Sequence, residues 1–464
     1  LTPVTETISS DRSGAMPPTP PRRQPYFIQI GLDFGTSYSK CICRDVNTEK
    51  AWVYIPPKSK DYEYPFLIPG AMLINNDMLR HVENQEIHYP ENGLYHLKHA
   101  LVKTALQQWD DPVLAVYKKA NGQSDLTSLP LFVENCAVYY LAGTIGDVRE
   151  GVRRRLPDFG ALPGDYMAVN LAVPVADAER PQVNDLYHRV LSEAWRIADK
   201  CTGHPPIRLT EIEALRKENK TTEGWSSDEA CFIYPEVSAN VQGFVRSRVS
   251  APGMYFFSDT GAGTVDQSVF IFARRNQEEH LVYLYGTVLP LGSSLIEHRA
   301  AISSGNSDGQ SLEIWRERKE RDESAVELSK AKEWVVGRLS QGTEATLAFA
   351  RQKLYVRDQL NDIRVIFGGG GHCDYPYKTA VMRPFSGHLF RNPIQPDVIG
   401  LPIPDDLELK DSEARWMRRL YVAYGLSFEK NELTGFTYPK DVSIPEPQEI
   451  WAPHRQIPDM PEND

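Results

Sequence analysis

Positive charge is in short supply: 51 Lys and Arg stand against 62 Asp and Glu, a formal net charge of −11 at pH 7. A surface of that sign repels polyanions, and basic clusters as short as Arg153-Arg154-Arg155 do not reverse it, so nucleic acid is not an expected partner. Long apolar runs are missing as well. No stretch approaches the roughly 20 residues needed to span a bilayer, and the first residues lack the charged-then-apolar order of a signal peptide, so no membrane partner is expected. Cysteine is sparse and scattered, at 41, 43, 136, 201, 231 and 373. Cys41 and Cys43 sit at alternate strand positions and share a face, but no second pair follows at zinc spacing. Free thiols in a reducing, cytoplasmic setting are the expected state.

What is present is the composition of a globular protein, 41% hydrophobic and 24% charged over 464 residues, enough for two or more lobes with their own cores. The ends differ from the rest. Residues 1–25 are rich in Ser, Thr and Pro, and residues 441–464 are Pro-rich and acidic. Neither composition can bury a core, and both read as tails, either solvated linkers or proline-rich ligands for a partner.

Residues 256–266, Phe-Phe-Ser-Asp-Thr-Gly-Ala-Gly-Thr-Val-Asp, form the centre of the pattern. An apolar strand runs into small residues, with Asp259 at the bend and Asp266 where a second strand begins. Such a hairpin can wrap backbone N–H groups around an anionic phosphate. Carboxylates would repel the phosphate, so their expected task is to hold hydrated Mg²⁺ and orient water. Taken alone, an ordinary Gly-rich hairpin would look the same. Residues 28–40, Ile-Gln-Ile-Gly-Leu-Asp-Phe-Gly-Thr-Ser-Tyr-Ser-Lys, repeat the plan: strand, Asp33, Gly35-Thr36-Ser37-Tyr38, strand. Two hairpins of one design imply two related lobes facing one ligand.

The pair resembles the two phosphate motifs of the actin, sugar-kinase and seventy-kilodalton heat-shock chaperone superfamily, and the first is most similar to the chaperone-type (DnaK-like) ATPase. The resemblance implies an α/β, two-lobed, actin-like ATPase fold, each lobe a mixed sheet flanked by helices, with ATP or ADP and Mg²⁺ in the cleft between the lobes. It implies a first lobe over 26–250 with an insert at about 56–130. The second lobe would cover 251–410, with an insert at about 299–345, and a return helix would lie within 411–440. Phosphate contacts fall on Gly35, Thr36, Ser37, Tyr38, Gly261, Ala262, Gly263 and Thr264, and Mg²⁺ on Asp33 and Asp259 through water. Ala262 stands where the chaperones usually have Gly, which makes hydrolysis a weaker implication than binding.

Other segments fit the same order. Tyr95 to Lys103 reads as a helix with a basic face, where the family's catalytic Lys matches Lys98, or else Lys103; a solvated helix Lys is the plain alternative. Residues 130–156 carry a helical period through Val133, Ala137, Tyr140, Leu141, Val148 and Val152. An apolar strand at 166–175, a turn through Asp177-Ala178-Glu179, and a helix with Leu186, Val190, Ala194 and Ala198 on one face follow. In Phe232 to Asn240 a strand bends at Pro235 into a helix. There Glu236 matches the carboxylate that places metal and water, or simply caps the helix. Leu289 to Leu295 resembles the family's Leu-Gly-Gly helix start without the Asp residues that follow it. Lys332, in a helix from Ala325, matches the adenosine-side Lys, or is a surface salt-bridge partner. Gly368-Gly369-Gly370-Gly371 after an apolar strand match the adenosine motif, since glycines admit a flat ligand or phosphate close to the backbone. Residues 301–324 read as an exposed polar part of an insert, and Trp416 to Tyr424 as the return helix.

The implied activity is slow Mg²⁺-dependent ATP hydrolysis, with Lys98, Glu236 and Asp266 assisting transfer of the γ-phosphoryl group to water, in a chaperone-like conformational switch acting on a protein partner. No segment matches the chaperones' peptide-binding module, so client folding is not implied. Two alternatives stay open: a small-molecule kinase with Asp266 as base, and an actin-like, oligomeric scaffold whose assembly depends on nucleotide.

Overall fold

The computed structural model describes residues 23–122, 126–173, 180–218, 230–246, 250–275, 278–371 and 375–445. The bulk of both proline-rich ends, the turn at 174–179 and the pair His372 and Cys373 lie outside the described residues. The architecture is mixed α/β, with two large mixed sheets and one small sheet flanked by helices.

The two large sheets repeat one arrangement. In the first, Phe27–Asp33 pairs antiparallel with Tyr38–Asp45, which pairs antiparallel with Lys50–Val53; on its other side Phe27–Asp33 runs parallel to Tyr166–Val173, and that strand parallel to Cys231–Pro235. In the second, Gly253–Thr260, Val265–Arg275 and Glu278–Leu289 form the antiparallel run, while Arg364–Gly368 and Val398–Ile399 extend the sheet in parallel. Even the far edges agree. Leu407–Glu408 adds a parallel strand beside Lys50–Val53, and Gly435–Thr437 adds one beside Glu278–Leu289. The central strands are apolar runs rather than alternating ones because both faces are covered.

On one face of the first sheet lie the helices Leu97–Ala105, Leu129–Arg155 and Pro181–Cys201, around a core that includes Ile30, Val133, Tyr140 and Val190. The two long helices approach closely at Gly146, where a Cβ would lie 2.5 Å from the Ala198 carbonyl oxygen. The helix Met417–Leu426 packs on the other face, and Gly31 makes room for it: a Cβ there would sit 2.1 Å from the Ala423 oxygen. The second sheet has Ser294–Ser303, Val326–Gln352 and Tyr375–Met382 on one side and Glu236–Val245 on the other. The helices Glu236–Val245 and Met417–Leu426 also pack on each other, so this central pair joins the two sheets.

Several boundaries differ from those read in the sequence. Glu236–Val245, placed with residues 26–250, buries Val237, Val241, Phe244 and Val245 against the second sheet. Leu407–Glu408, placed with 251–410, joins the first sheet. Residues 56–130 build much of a four-stranded sheet, Gly93–Leu94, Met72–Asn75, Met78–His81 and Ile207–Arg208. The segment read as exposed, 301–324, contains the helix Gly309–Glu320, with Leu312, Trp315 and Arg316 buried. Cys41, Cys43, Cys136 and Cys201 are buried free thiols. Among the described residues, no helix is long and apolar enough to cross a membrane.

Candidate functional site

Each antiparallel hairpin ends at the same place. In the first, Asp33 stands opposite Lys40 across the turn at 34–39; in the second, Asp259 stands opposite Asp266 across the turn at 260–265. The two turns abut, since a Cβ on Gly263 would lie 2.8 Å from the Thr36 methyl carbon. The second turn is also tied down from outside. The carbonyls of Gly261, Ala262 and Gly263 accept hydrogen bonds from the backbone N–H groups of Ser293 (3.0 Å), Ser294 (2.9 Å) and Gly292 (3.2 Å), and the Ser294 hydroxyl also donates to Ala262. This occupies carbonyl oxygens that would otherwise repel an anion at the turn. Gly292 is required there, because a Cβ would come within 2.2 Å of the Ala262 oxygen.

Between the hairpins opens a cavity of about 820 Å³. Its lining includes Asp33, Gly35, Thr36, Ser37, Tyr38, Lys98, Glu236, Asp259, Gly261, Ala262, Thr264, Asp266, Gly369, Gly370 and Gly371. Four sequence candidates are not part of the lining, and one of them, Lys103, pairs with Asp111 at 3.1 Å. Gly263 packs on Thr36, and Gly368 is the last residue of its strand, beside Phe257, Asn240 and Asp259. Lys332 forms a salt bridge with Asp322 at 3.0 Å, as its surface alternative described. Arg316 and Lys319 of the Gly309–Glu320 helix line the cavity, and Lys319 pairs with Glu297 at 2.6 Å. The Tyr38 hydroxyl is engaged elsewhere: it donates to the Gln85 carbonyl at 2.5 Å and lies 2.6 Å from the His88 ring nitrogen Nε2.

The floor of the cavity is a buried charge cluster. Lys98 is not a solvated helix residue; it is buried and pairs with Glu236 at 2.7 Å. Burial disfavours its charge, but Glu236, Tyr187 and Asp33 outweigh that and raise its pKa. Lys40 pairs with Asp33 at 2.5 Å. Asn240, one helical turn beyond Glu236, donates to Asp259 Oδ2 at 2.5 Å, and the Thr264 hydroxyl donates to Asp266 at 2.9 Å. Four carboxyl groups thus face two ammonium groups. Burial, then Glu236 and Asp33, push Asp259 up to about 7, against the pull of Lys40 and Lys98. Burial and then Glu236 raise Asp266 well above the ordinary carboxyl value. Gly369 closes the cluster with φ +76°; a Cβ there would fall 2.2 Å from Asp259 Oδ1.

Lys40 and Asn240 carry no role in the sequence reading. The signals were present: Lys40 stands opposite Asp33 in a hairpin, and Asn240 follows Glu236 at helical spacing. Arg316 and Lys319 had no such signal, because their helix reaches the cavity only through tertiary packing.

Among the described residues, no three His, Cys, Asp or Glu side chains converge as a ready ligand set for a metal. The buried oxygens Asp266 Oδ1, Asn240 Oδ1 and Thr260 Oγ1 have no hydrogen-bond partner. Oxygens of this kind, beside the carboxylates of the cavity floor, fit a hydrated Mg²⁺ held through its waters. The chain matches no family model, and no curated protein matches it.

Proposed function

We propose that the two large sheets with their helices are the lobes of an actin-like ATPase of the chaperone type, and that the cavity between them takes ATP and hydrolyses it slowly to switch a protein partner. The observation that carries this reading is the meeting of two equivalent hairpins, one from each of two sheets with the same strand order, at one charged cavity.

Thr36, Ser37 and Thr264, with the N–H groups of both turns, would hold the phosphates. Mg²⁺, placed through water by Asp33 and Asp259, would neutralise charge on the phosphates. Lys98, oriented by its bond to Glu236, would face the γ-phosphoryl oxygens and stabilise charge developing there. Asp259, whose pKa is pushed up to about 7, is suited to taking the proton of the attacking water at neutral pH. Gly369 to Gly371 leave room for the nucleoside to lie against the backbone. Arg316 and Lys319, which line the same cavity, would supply the cation beside the nucleoside that the sequence reading gave to Lys332.

Thermal unfolding of the chain with and without Mg·ATP, for the natural protein and for Asp259→Asn, with phosphate release measured on the same samples, tests this. Ligand at 100 times its Kd adds about 2.7 kcal/mol, a shift of a few degrees. The natural chain is expected to shift and to release phosphate slowly, and the mutant to do less of both. An absence of shift with any nucleotide would overturn the reading.

A further inference from the structure

Lys40 is a cation built into the first hairpin at the place where a metal would be wanted. Its strand register puts it opposite Asp33, and its ammonium lies 2.5 Å from Asp33 Oδ2. Both side chains are largely withdrawn from solvent, at 17% and 4% exposure, so the pair is only weakly screened. The ammonium also sits beneath the Gly35-Thr36-Ser37 turn: a Cβ on Gly35 would be 3.6 Å from it. Lys40 lines the cavity, and among the described residues Asp33 is its one hydrogen-bond acceptor. An ammonium has three donors and no acceptor, so two remain for a ligand. A divalent cation in direct contact and an ammonium cannot both neutralise one buried carboxylate without repelling each other, so a Mg²⁺ at Asp33 would be held only through its waters. The chain therefore carries, in its own sequence, the positive charge that Asp33 would otherwise draw from solution.

Resting on the nucleotide reading above, we propose that Lys40 is a resident counter-ion of the phosphate site, bridging Asp33 and the bound polyphosphate. Nucleotide then binds this chain without a divalent cation, and Mg²⁺ is needed for turnover rather than for affinity. Lys98 is bonded to Glu236 rather than to Asp33, so it does not form this bridge.

The test measures ATP affinity and ATP-induced thermal shift for the full chain, in excess EDTA and in Mg²⁺, for the natural protein, Lys40→Met, Lys40→Arg and Asp33→Asn. The natural protein is expected to keep its shift in EDTA. Lys40→Met removes the charge at similar volume and leaves Asp33 bare; it is expected to lose affinity in EDTA by about tenfold or more and to recover it in Mg²⁺. Lys40→Arg, which keeps the charge, is expected to bind in EDTA. If Lys40→Met does not fold, Asp33→Asn carries the test, since it frees the ammonium for phosphate and is expected to bind in EDTA at least as tightly as the natural chain. A natural protein that binds ATP in Mg²⁺ but not in EDTA would overturn the role of Lys40 and leave the proposed function standing. Lys40→Met binding equally well in both media would do the same. No binding in either medium would overturn the nucleotide reading itself.

Discussion

Asp259 sits where burial and the Glu236 and Asp33 carboxylates raise its pKa to about 7, from an ordinary value of 3.8. A carboxyl held above its unfolded value binds a proton in the native state that the unfolded chain has already released. Its contribution to stability is therefore complete below about pH 4 and is lost as pH rises to about 7, on the order of 4 kcal/mol across the window. Asp266 is raised in the same direction and adds a slope of the same sign. In urea unfolding of the ligand-free protein from pH 4 to 7.5, the natural chain is expected to lose stability steadily. Asp259→Asn, which keeps a neutral acceptor at this site, is expected to lose distinctly less. Parallel profiles for the two proteins would show that Asp259 is already ionised in the native state. The sequence put Asp259 at the bend because the apolar run stops there; the strand continues through it to Thr260, pairing it with Asp266. The raised pKa of Asp259 was not legible, since it depends on Glu236 and Asp33, which only the packed structure brings beside it.

Among the elements, the crossing of Glu236–Val245 with Met417–Leu426 is set by one residue. A Cβ on Gly425 would lie 1.8 Å from the Ala239 carbonyl oxygen, against backbone that cannot rotate away. In an open helix position Gly→Ala gains up to about 1 kcal/mol from propensity, whereas overpacking costs about 1–3 kcal/mol, so overpacking decides the sign here. Gly425→Ala is expected to destabilise in urea unfolding. Gly337→Ala, in the Val326–Gln352 helix with nothing within 4 Å of its Cβ position, is expected to be neutral or stabilising. Equal effects at the two sites would mean that the crossing is not tight. Met417–Leu426 was legible from its period, and the helix at Glu236 from the bend at Pro235 and the Glu at its start. Their partners were not, because an apolar face at 3.6-residue spacing does not say which sheet it covers. That is why Glu236–Val245 was placed with residues 26–250, although most of its apolar face covers the second sheet. Leu407–Glu408 escaped notice for another reason: two residues are too few to show alternation. The Gly309–Glu320 helix was hidden by its charge, since Arg316 is buried through Glu313 and Glu320 rather than through apolar neighbours.

At the scale of the whole molecule, two of the connections between the large sheets, among the described residues, lie away from the abutting hairpins. One is the helix crossing at Gly425. The other is polar and links the segment 86–89, which follows the small sheet's Met78–His81 strand, to the helices covering the second sheet. The Tyr89 hydroxyl donates to Glu297 at 3.0 Å, the N–H groups of His88 and Tyr89 donate to Glu313 at 3.0 and 2.9 Å, and Arg316 donates to the Glu86 carbonyl at 2.8 Å. Under the proposed function, release of nucleotide is expected to follow the opening of one of these connections. The helix crossing is continuous apolar packing of two helices, whereas the segment at 86–89 is held by one large buried side chain, Tyr89, and by hydrogen bonds each of net worth about 1 kcal/mol. Opening is therefore expected at 86–89. Tyr89→Phe removes one bond, and a loss of about 1 kcal/mol corresponds to about a fivefold faster dissociation of bound nucleotide, measured by chasing a fluorescent analogue. Glu313→Ala removes two and is expected to act more strongly. Amide hydrogen exchange supplies a readout that needs no ligand: the His88 and Tyr89 amides are expected to be protected in the natural chain and to exchange faster in Glu313→Ala, while amides of Met417–Leu426 stay unchanged. If exchange instead accelerates in that helix, the crossing at Gly425 is the weaker connection and the cavity opens from the opposite end.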